Sequence, residues 1–255
     1  MNGALAGIGA SLALAWPAAA VADDPPPPAP PPPPAPAPVA PGPAHEILST
    51  PGHVSRWAFV VRPVIARAAP DAAAKAVSRL RLKTQDGTDE LVPALERTTD
   101  ASGRRWVRVR LPILPNGRTG WVPQETLGGF HRIRTWLRID LRRLRATLIR
   151  SGRAVFRARI GAGRRKWPTP RGDFYIRDRL EGFASGGMYG PLAFGTNARS
   201  AVLTDWPGGG FVGIHGTNQP HLLPGRVSHG CIRMKNPDIL RLGRLMPVGT
   251  PVTIS

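Results

Sequence analysis

Residues 25–43 hold 13 prolines, with alanine making up most of the remainder. Each proline fixes φ and lacks an N–H, so this block can enter neither a helix interior nor a sheet ladder. It is expected to run as extended polyproline II, about 3.1 Å per residue and about 60 Å in all. A semi-rigid spacer is the reading adopted, ahead of a ligand for a proline-recognition domain. The block also accounts for part of the 30 prolines and 29 glycines among 255 residues, a share too high for a chain that is packed throughout. A folded core must therefore be built from the residues after position 43.

Ahead of the spacer, Ala4 to Ala22 is almost wholly small and apolar and ends in Ala20-Val21-Ala22 before Asp23-Asp24. That small-x-small ending predicts a secretory signal peptide over residues 1–22. No Lys or Arg precedes the apolar stretch, and an uncleaved membrane anchor is the alternative. No run of about 20 apolar residues occurs after residue 22, so no integral membrane span is expected in the mature chain. The expected organisation is signal peptide 1–22, proline-rich linker 23–50, a small β unit 51–128 and a larger β-rich domain 129–255.

The first unit reads as short strands broken by turns. Trp106-Val107-Arg108-Val109-Arg110-Leu111 alternates, which puts Val107, Val109 and Leu111 on one face. Thr99-Asp100-Ala101-Ser102-Gly103 and Pro115-Asn116-Gly117 are turn clusters on either side. Thr119-Gly120-Trp121-Val122-Pro123 then comes near the end of this unit. A turn running into Gly-Trp-Val resembles the bacterial Src-homology-three-like β-barrel of wall-associated enzymes. The resemblance implies a wall-binding module; the other reading is a packing domain with Trp121 in its core.

The second unit is mainly β as well. Trp136 to Leu141 and Val155 to Ile160 alternate, and Ser151-Gly152 stands where a hairpin turn belongs. Asn236-Pro237-Asp238 predicts a helix start, with Asn236 as N-cap, Pro237 at the first position and Asp238 facing the positive end of the dipole. Ile239, Leu242 and Met246 would form its apolar stripe, and Val252-Thr253-Ile254 a last strand.

Chemistry concentrates between Ile214 and Met234. Cys231 is the only cysteine in the chain, which excludes an internal disulfide framework and any multi-thiolate zinc cluster. A lone cysteine is most often a small buried hydrophobe. Here it lies among His, Gly and Ser, with His229 two residues before it and His215 sixteen before it. A thiol is only partly ionised near neutrality, and a neighbouring imidazole or imidazolium converts it to an attacking group. Gly230 permits a tight turn that could aim the N–H groups of Gly230 and Cys231 at a developing oxyanion. The rival reading, zinc held by His215, His221, His229 and Cys231, is set aside: His229 and Cys231 are too close to close a tetrahedron freely.

His215-Gly216-Thr217 and Ser228-His229-Gly230-Cys231-Ile232-Arg233-Met234 resemble the active-site segment of the L,D-transpeptidases of bacterial cell-wall synthesis. Thr169-Pro170-Arg171-Gly172-Asp173-Phe174 is similar to that family's Thr-Pro-x-Gly-x-Phe element. The resemblance covers roughly residues 132–255 and implies a β-rich, sandwich-like catalytic domain. It implies Cys231 as nucleophile, His215 as general base, Ser228 and His229 as site-shaping residues, and Gly230 with the Cys231 amide as oxyanion donors. Arg233 would bind a substrate carboxylate, or else serve a structural salt bridge. Thr217 is carried over as a substrate contact. Tyr189, in the glycine-rich stretch at 186–190, would meet substrate at the groove rim unless it packs in the core. The implied reaction acylates Cys231 at the third residue of a stem tetrapeptide, releases D-alanine, and forms a 3→3 cross-link with another stem. With water as acceptor the same site is an L,D-carboxypeptidase. A non-catalytic wall-binding protein is the third reading. No metal or organic cofactor is implied, and the protein would work in the cell wall or periplasm.

The formal net charge is +19, from 35 Lys and Arg against 16 Asp and Glu. Nucleic-acid binding is set aside because the arginines are spread along both units and the chain reads as exported. Such a surface favours anionic wall polymers by sequence-independent attraction. Gly161-Ala162-Gly163 before Arg164-Arg165-Lys166 lacks the third glycine of a nucleotide fingerprint and is expected to be a basic turn.

Overall fold

The computed structural model describes residues 45–182, 186–203 and 210–255. The expected signal peptide and the proline block lie outside the described residues. Two sheets joined by turns frame the described residues, as strand-rich patterning with frequent turns requires.

The first sheet contains β1 (Glu46–Ile47), β2 (Ser55–Phe59), β3 (Val64–Arg67), β4 (Ala76–Leu80), β5 (Leu91–Thr99), β6 (Arg105–Arg110), β7 (Thr119–Pro123) and β8 (His131–Ile133). Its order is β4-β3-β7-β6-β5-β2-β8, with β1 added on β5, and its pairings are antiparallel. Val107, Val109 and Leu111 are fully buried with Ala58, Ala94 and Val122, as the alternation of β6 demands. Trp106, on the opposite face of β6, is also buried, because the turn at 100–104 folds back over it. Its Nε1–H donates to Asp100 Oδ2 at 2.7 Å, and Arg104 lies over its ring. Trp121 does not join the core. The alternation of β7 sends Gly120 and Val122 inward and leaves Trp121 half-buried on the outer face. The folded part begins before residue 51, because β1 pairs with β5 and Leu48 is buried against that core. It also runs past residue 128, because β8 pairs with β2.

The second sheet contains β9 (Thr135–Asp140), β10 (Arg145–Arg150), β11 (Arg153–Arg159), β12 (Gly161–Gly163), β13 (Gly172–Glu181), β14 (Leu192–Arg199), β15 (Phe211–His215), β16 (Gly225–Ser228), β17 (Ile232–Arg233) and β18 (Pro251–Ile254). The order is β11-β10-β9-β18-β13-β14-β15-β17-β12-β16. Ser151 and Gly152 both take positive φ, 47° and 79°, as a tight turn between β10 and β11 needs. Gly161-Ala162-Gly163 is a buried strand, and the basic turn falls on the residues after it, where the Trp167 N–H donates to the Arg164 carbonyl at 3.0 Å. A Cβ on Gly163 would stand 2.2 Å from the Trp167 carbonyl oxygen, so only glycine lets the two backbones approach.

The helix α1 (Asn236–Leu245) buries Ile239 and Leu242, with Met246 just past its end, against the core of the second sheet. Its N-cap is Lys235, and Asn236 is already helical. The Asn236 side chain is drawn away from the helix end, toward the Thr217 N–H. Trp57, Leu91 and Tyr175 form a separate buried cluster where the first sheet meets β13.

Candidate active site

Strand pairing brings together residues that are sixteen apart in sequence. β15 and β17 run side by side in parallel, with Ile214 opposite Ile232 and His215 opposite Arg233. Both isoleucines are fully buried, which anchors the pair. Cys231, the residue before β17, therefore sits beside Gly213, whose N–H donates to its Sγ at 3.4 Å. His215 and Cys231 line one small cavity together with Tyr189, Phe211, His229 and Arg233.

His215 is 2% exposed, and its Nδ1 lies 2.6 Å from the Gly216 carbonyl oxygen. A carbonyl can only accept, so Nδ1 carries the proton and Nε2 keeps a lone pair. Burial pushes the His215 pKa down to about 4; the bond to Gly216 opposes this and the charge of Arg233 adds to it. The ring is thus a neutral base near neutrality. Burial likewise raises the Cys231 pKa, against the Gly213 N–H and Arg233, which favour the thiolate. Both shifts favour the uncharged forms, whereas the sequence led to the expectation that the imidazole would lower the thiol pKa.

The turn carrying Cys231 is built from hydroxyl hydrogen bonds. Ser228 Oγ donates to the Cys231 carbonyl at 2.6 Å and accepts the Gly230 N–H at 3.1 Å. Thr169 Oγ1 donates to the Gly230 carbonyl at 2.8 Å and accepts the Gly163 N–H at 2.9 Å. Gly230 has φ +116°, a value open to glycine and strained for other residues. Its N–H is directed at Ser228, so it is not an oxyanion donor as expected from the sequence.

The loop after His215 is held by α1. Asn236 Oδ1 accepts the Thr217 N–H at 2.9 Å. It fills a niche where a Cβ on either Gly190 or Gly216 would stand 2.4 Å from it. This is why Asn236 does not cap the helix. Thr217 is 1% exposed, and its Oγ1 accepts the Gln219 N–H at 3.0 Å, so it braces the loop rather than meeting substrate.

Tyr189 is half-buried at the cavity, its ring edge-on to that of His215 at 4.9 Å, and it does not pack in the core. His229 lies against Trp167, ring centroids 4.1 Å apart, and His221 is exposed in the short helical turn Pro220–Leu222. His229 thus stays at the cavity, while His221 stands in solvent. Arg233 donates from one terminal nitrogen to Gln219 Oε1 at 3.4 Å, and its Nε is buried with no partner among the described residues.

Sequence reasoning missed Gly213 and Asn236 and gave Thr169 no role. Asn236 was concealed because Asn-Pro-Asp is also a helix-start signature. Gly213 carries a signal only once β15 and β17 are known to be parallel neighbours.

Residues 134–254 match the family model of the YkuD L,D-transpeptidase catalytic domain. The carboxy-terminal domain of this chain belongs to the L,D-transpeptidase family. The Bacillus subtilis (strain 168) protein YkuD, named an L,D-transpeptidase by assignment, is 35% identical over 109 residues, 43% of this chain and 58% of that protein. A second Bacillus subtilis protein, YqjB, named in the same way, is 33% identical over 106 residues, 38% of this chain and 57% of its own length. The chain thus spans a little over half the length of these curated relatives. The NMR structure of the catalytic domain of an Enterococcus faecium L,D-transpeptidase is 25% identical, covering 48% of this chain and 96% of that one, with a TM-score of 0.35. Among the described residues, no helix of the L,D-transpeptidase domain or of the preceding β unit is long and apolar enough to cross a membrane.

Proposed function

We propose that this chain is an exported peptidoglycan L,D-transpeptidase that works through a Cys231 thioester. The observation that carries the reading is the pairing of a neutral His215, its Nδ1–H held by Gly216, with Cys231 in one cavity beside Gly213. The neutral base takes the thiol proton onto Nε2 as sulfur attacks the carbonyl of the third residue of a stem tetrapeptide. The Cys231 amide is the donor assigned to the oxyanion. The C–N bond to the terminal D-alanine then breaks, and the imidazolium returns its proton to the departing amine. In the second step the amine of another stem attacks the thioester and gives a proton to His215. The C–S bond breaks and the thiol is restored, leaving a 3→3 cross-link. Water as acceptor would instead release a tripeptide. Arg233, at the cavity with its Nε unpartnered, is the group assigned to a substrate carboxylate. Export rests on the signal-like residues 4–22, and the basic surface suits anionic wall polymers.

The test is incubation with a disaccharide tetrapeptide and then intact-mass analysis. Acylation of Cys231 with release of D-alanine is expected, with a cross-linked dimer when an acceptor stem is present. A folded protein that yields neither adduct nor D-alanine overturns the reading in favour of a wall-binding protein.

A further inference from the structure

Phe211 lines the Cys231 cavity, and two arginines lie over its ring. The guanidinium carbon of Arg177 lies 4.8 Å from the ring centroid and that of Arg199 lies 4.9 Å away. The first β unit holds both arginines, Arg177 by its guanidinium and Arg199 by its backbone. Arg177 is 6% exposed, and Glu90 grips it bidentately through Nε, at 2.7 Å, and a terminal nitrogen; Gln85 Oε1 accepts from the other terminal nitrogen at 2.9 Å. At Arg199 the Asn116 side chain acts like one rung of a ladder. Its Oδ1 accepts the Arg199 N–H at 3.0 Å and its Nδ2 donates to the Arg199 carbonyl at 2.8 Å.

A planar guanidinium with its donors fixed by a carboxylate has little freedom to leave the face of an aromatic ring. The β14–β15 ladder adds to this, because Arg199 is paired directly with Phe211. We propose that Glu90, Gln85 and Asn116 are positioning residues that set the wall of the Cys231 cavity by clamping Phe211 with Arg177 and Arg199. The first β unit then acts on donor binding through a chain of contacts that starts at its β4–β5 and β6–β7 loops. The inference rests on the reading of that cavity as the acylation site, and its test has an arm independent of turnover.

Removing Glu90 alone would leave a buried, unpaired Arg177 and endanger the fold. The variant of choice is therefore the double change Glu90→Gln with Arg177→Met, which removes both charges, with Asn116→Ala as a milder second. Fold is checked by circular dichroism and thermal unfolding. Alkylation of Cys231 by iodoacetamide, which needs no peptide substrate, is expected to quicken at least threefold in the double variant and less in Asn116→Ala. With the tetrapeptide, KM should rise several-fold while kcat stays within about twofold, because a displaced wall loses binding shared by ground and transition states. A folded double variant with the parent alkylation rate, or a slower one, overturns the inference. If the parent alkylates but never turns over the tetrapeptide, the proposed function fails while the alkylation comparison still decides the clamp.

Discussion

His215 donates its Nδ1–H to the carbonyl oxygen of Gly216 over 2.6 Å, and this one bond settles which ring nitrogen is left to act as base. With the pKa lowered to about 4 by burial, the base form predominates at every pH above that value. Acylation by the tetrapeptide should therefore rise through a limb near pH 4 and stay level to neutrality. The measurement is kcat/KM against pH. A limb centred near the ordinary imidazole value of about 6.5 would show that the ring is charged until then and that the buried-base account is wrong.

Removing the two reacting side chains separates their roles. Cys231→Ala should abolish acyl-enzyme formation with the unfolding temperature nearly unchanged, since the residue is small and half-buried. His215→Ala should slow acylation by ~10²–10⁴-fold, the usual loss with a general base. Single-turnover acylation monitored by mass spectrometry reads both. Near-normal rates in His215→Ala would move the base role to His229.

Gly213 offers a sharper test, because its change adds atoms without removing a partner. A Cβ there would stand 3.8 Å from His215 Cδ2 and 3.9 Å from Cys231 Sγ, ordinary contact distances at an unstrained backbone position. Gly213→Ala should fold with a stability change under about 1 kcal/mol. Its methyl group occupies space next to both reacting groups, and acylation should fall by ~10²-fold. Thermal unfolding alongside the acylation rate checks the pair of outcomes; an Ala variant as fast as the parent would mean the attack path lies elsewhere.

Much of this arrangement was legible in the sequence. Alternation in β6 and β9 and the Ser151-Gly152 turn reflect local physics, a period of two and a positive φ, which neighbouring residues alone dictate. The pairing of Cys231 with His215 was legible only as a motif, because the parallel contact of β15 and β17 spans sixteen residues that no local pattern describes. Asn236 shows the limit most clearly. The same side chain could cap α1 or support the His215 loop, and only tertiary packing of Gly190 and Gly216 around its oxygen decides for the loop. Trp121 fails for the related reason that alternation gives two faces without saying which one meets the core.

That decision at Asn236 is itself testable. Asn236→Ala removes the acceptor of the Thr217 N–H and should destabilise the protein by about 1–3 kcal/mol. Acylation should fall as well, because the loop that orients His215 through Gly216 is loosened. Urea unfolding and single-turnover rates are the measurements. Equal stability and rate in Asn236→Ala would assign the support of that loop to other contacts.

The last prediction concerns pH and stability at the boundary between the two β units. Burial raises the Asp178 pKa to about 6; Asp86 reinforces the shift, Arg177 and the Gly195 N–H oppose it, and Glu90 adds to it. Against an unfolded value near 3.8, the folded chain binds the extra proton between about pH 4 and pH 6. Stability from this group is therefore present at low pH and lost as pH rises through that window. His215, lowered from 6.5 to about 4, has the opposite sign: its contribution is present above about 6.5 and lost on acidification toward 4. Each shift corresponds to about 3 kcal/mol, so over this range the two slopes largely offset each other. Asp178→Asn keeps an oxygen for the Gly195 N–H and removes only the titration. Its stability advantage over the parent should be absent below about pH 4, grow between 4 and 6, and level off at roughly 1–3 kcal/mol near neutrality. Urea unfolding of both proteins across that range gives the difference curve directly. A difference that does not change with pH would mean that the Asp178 carboxylate is neither desolvated nor crowded by Asp86 and Glu90.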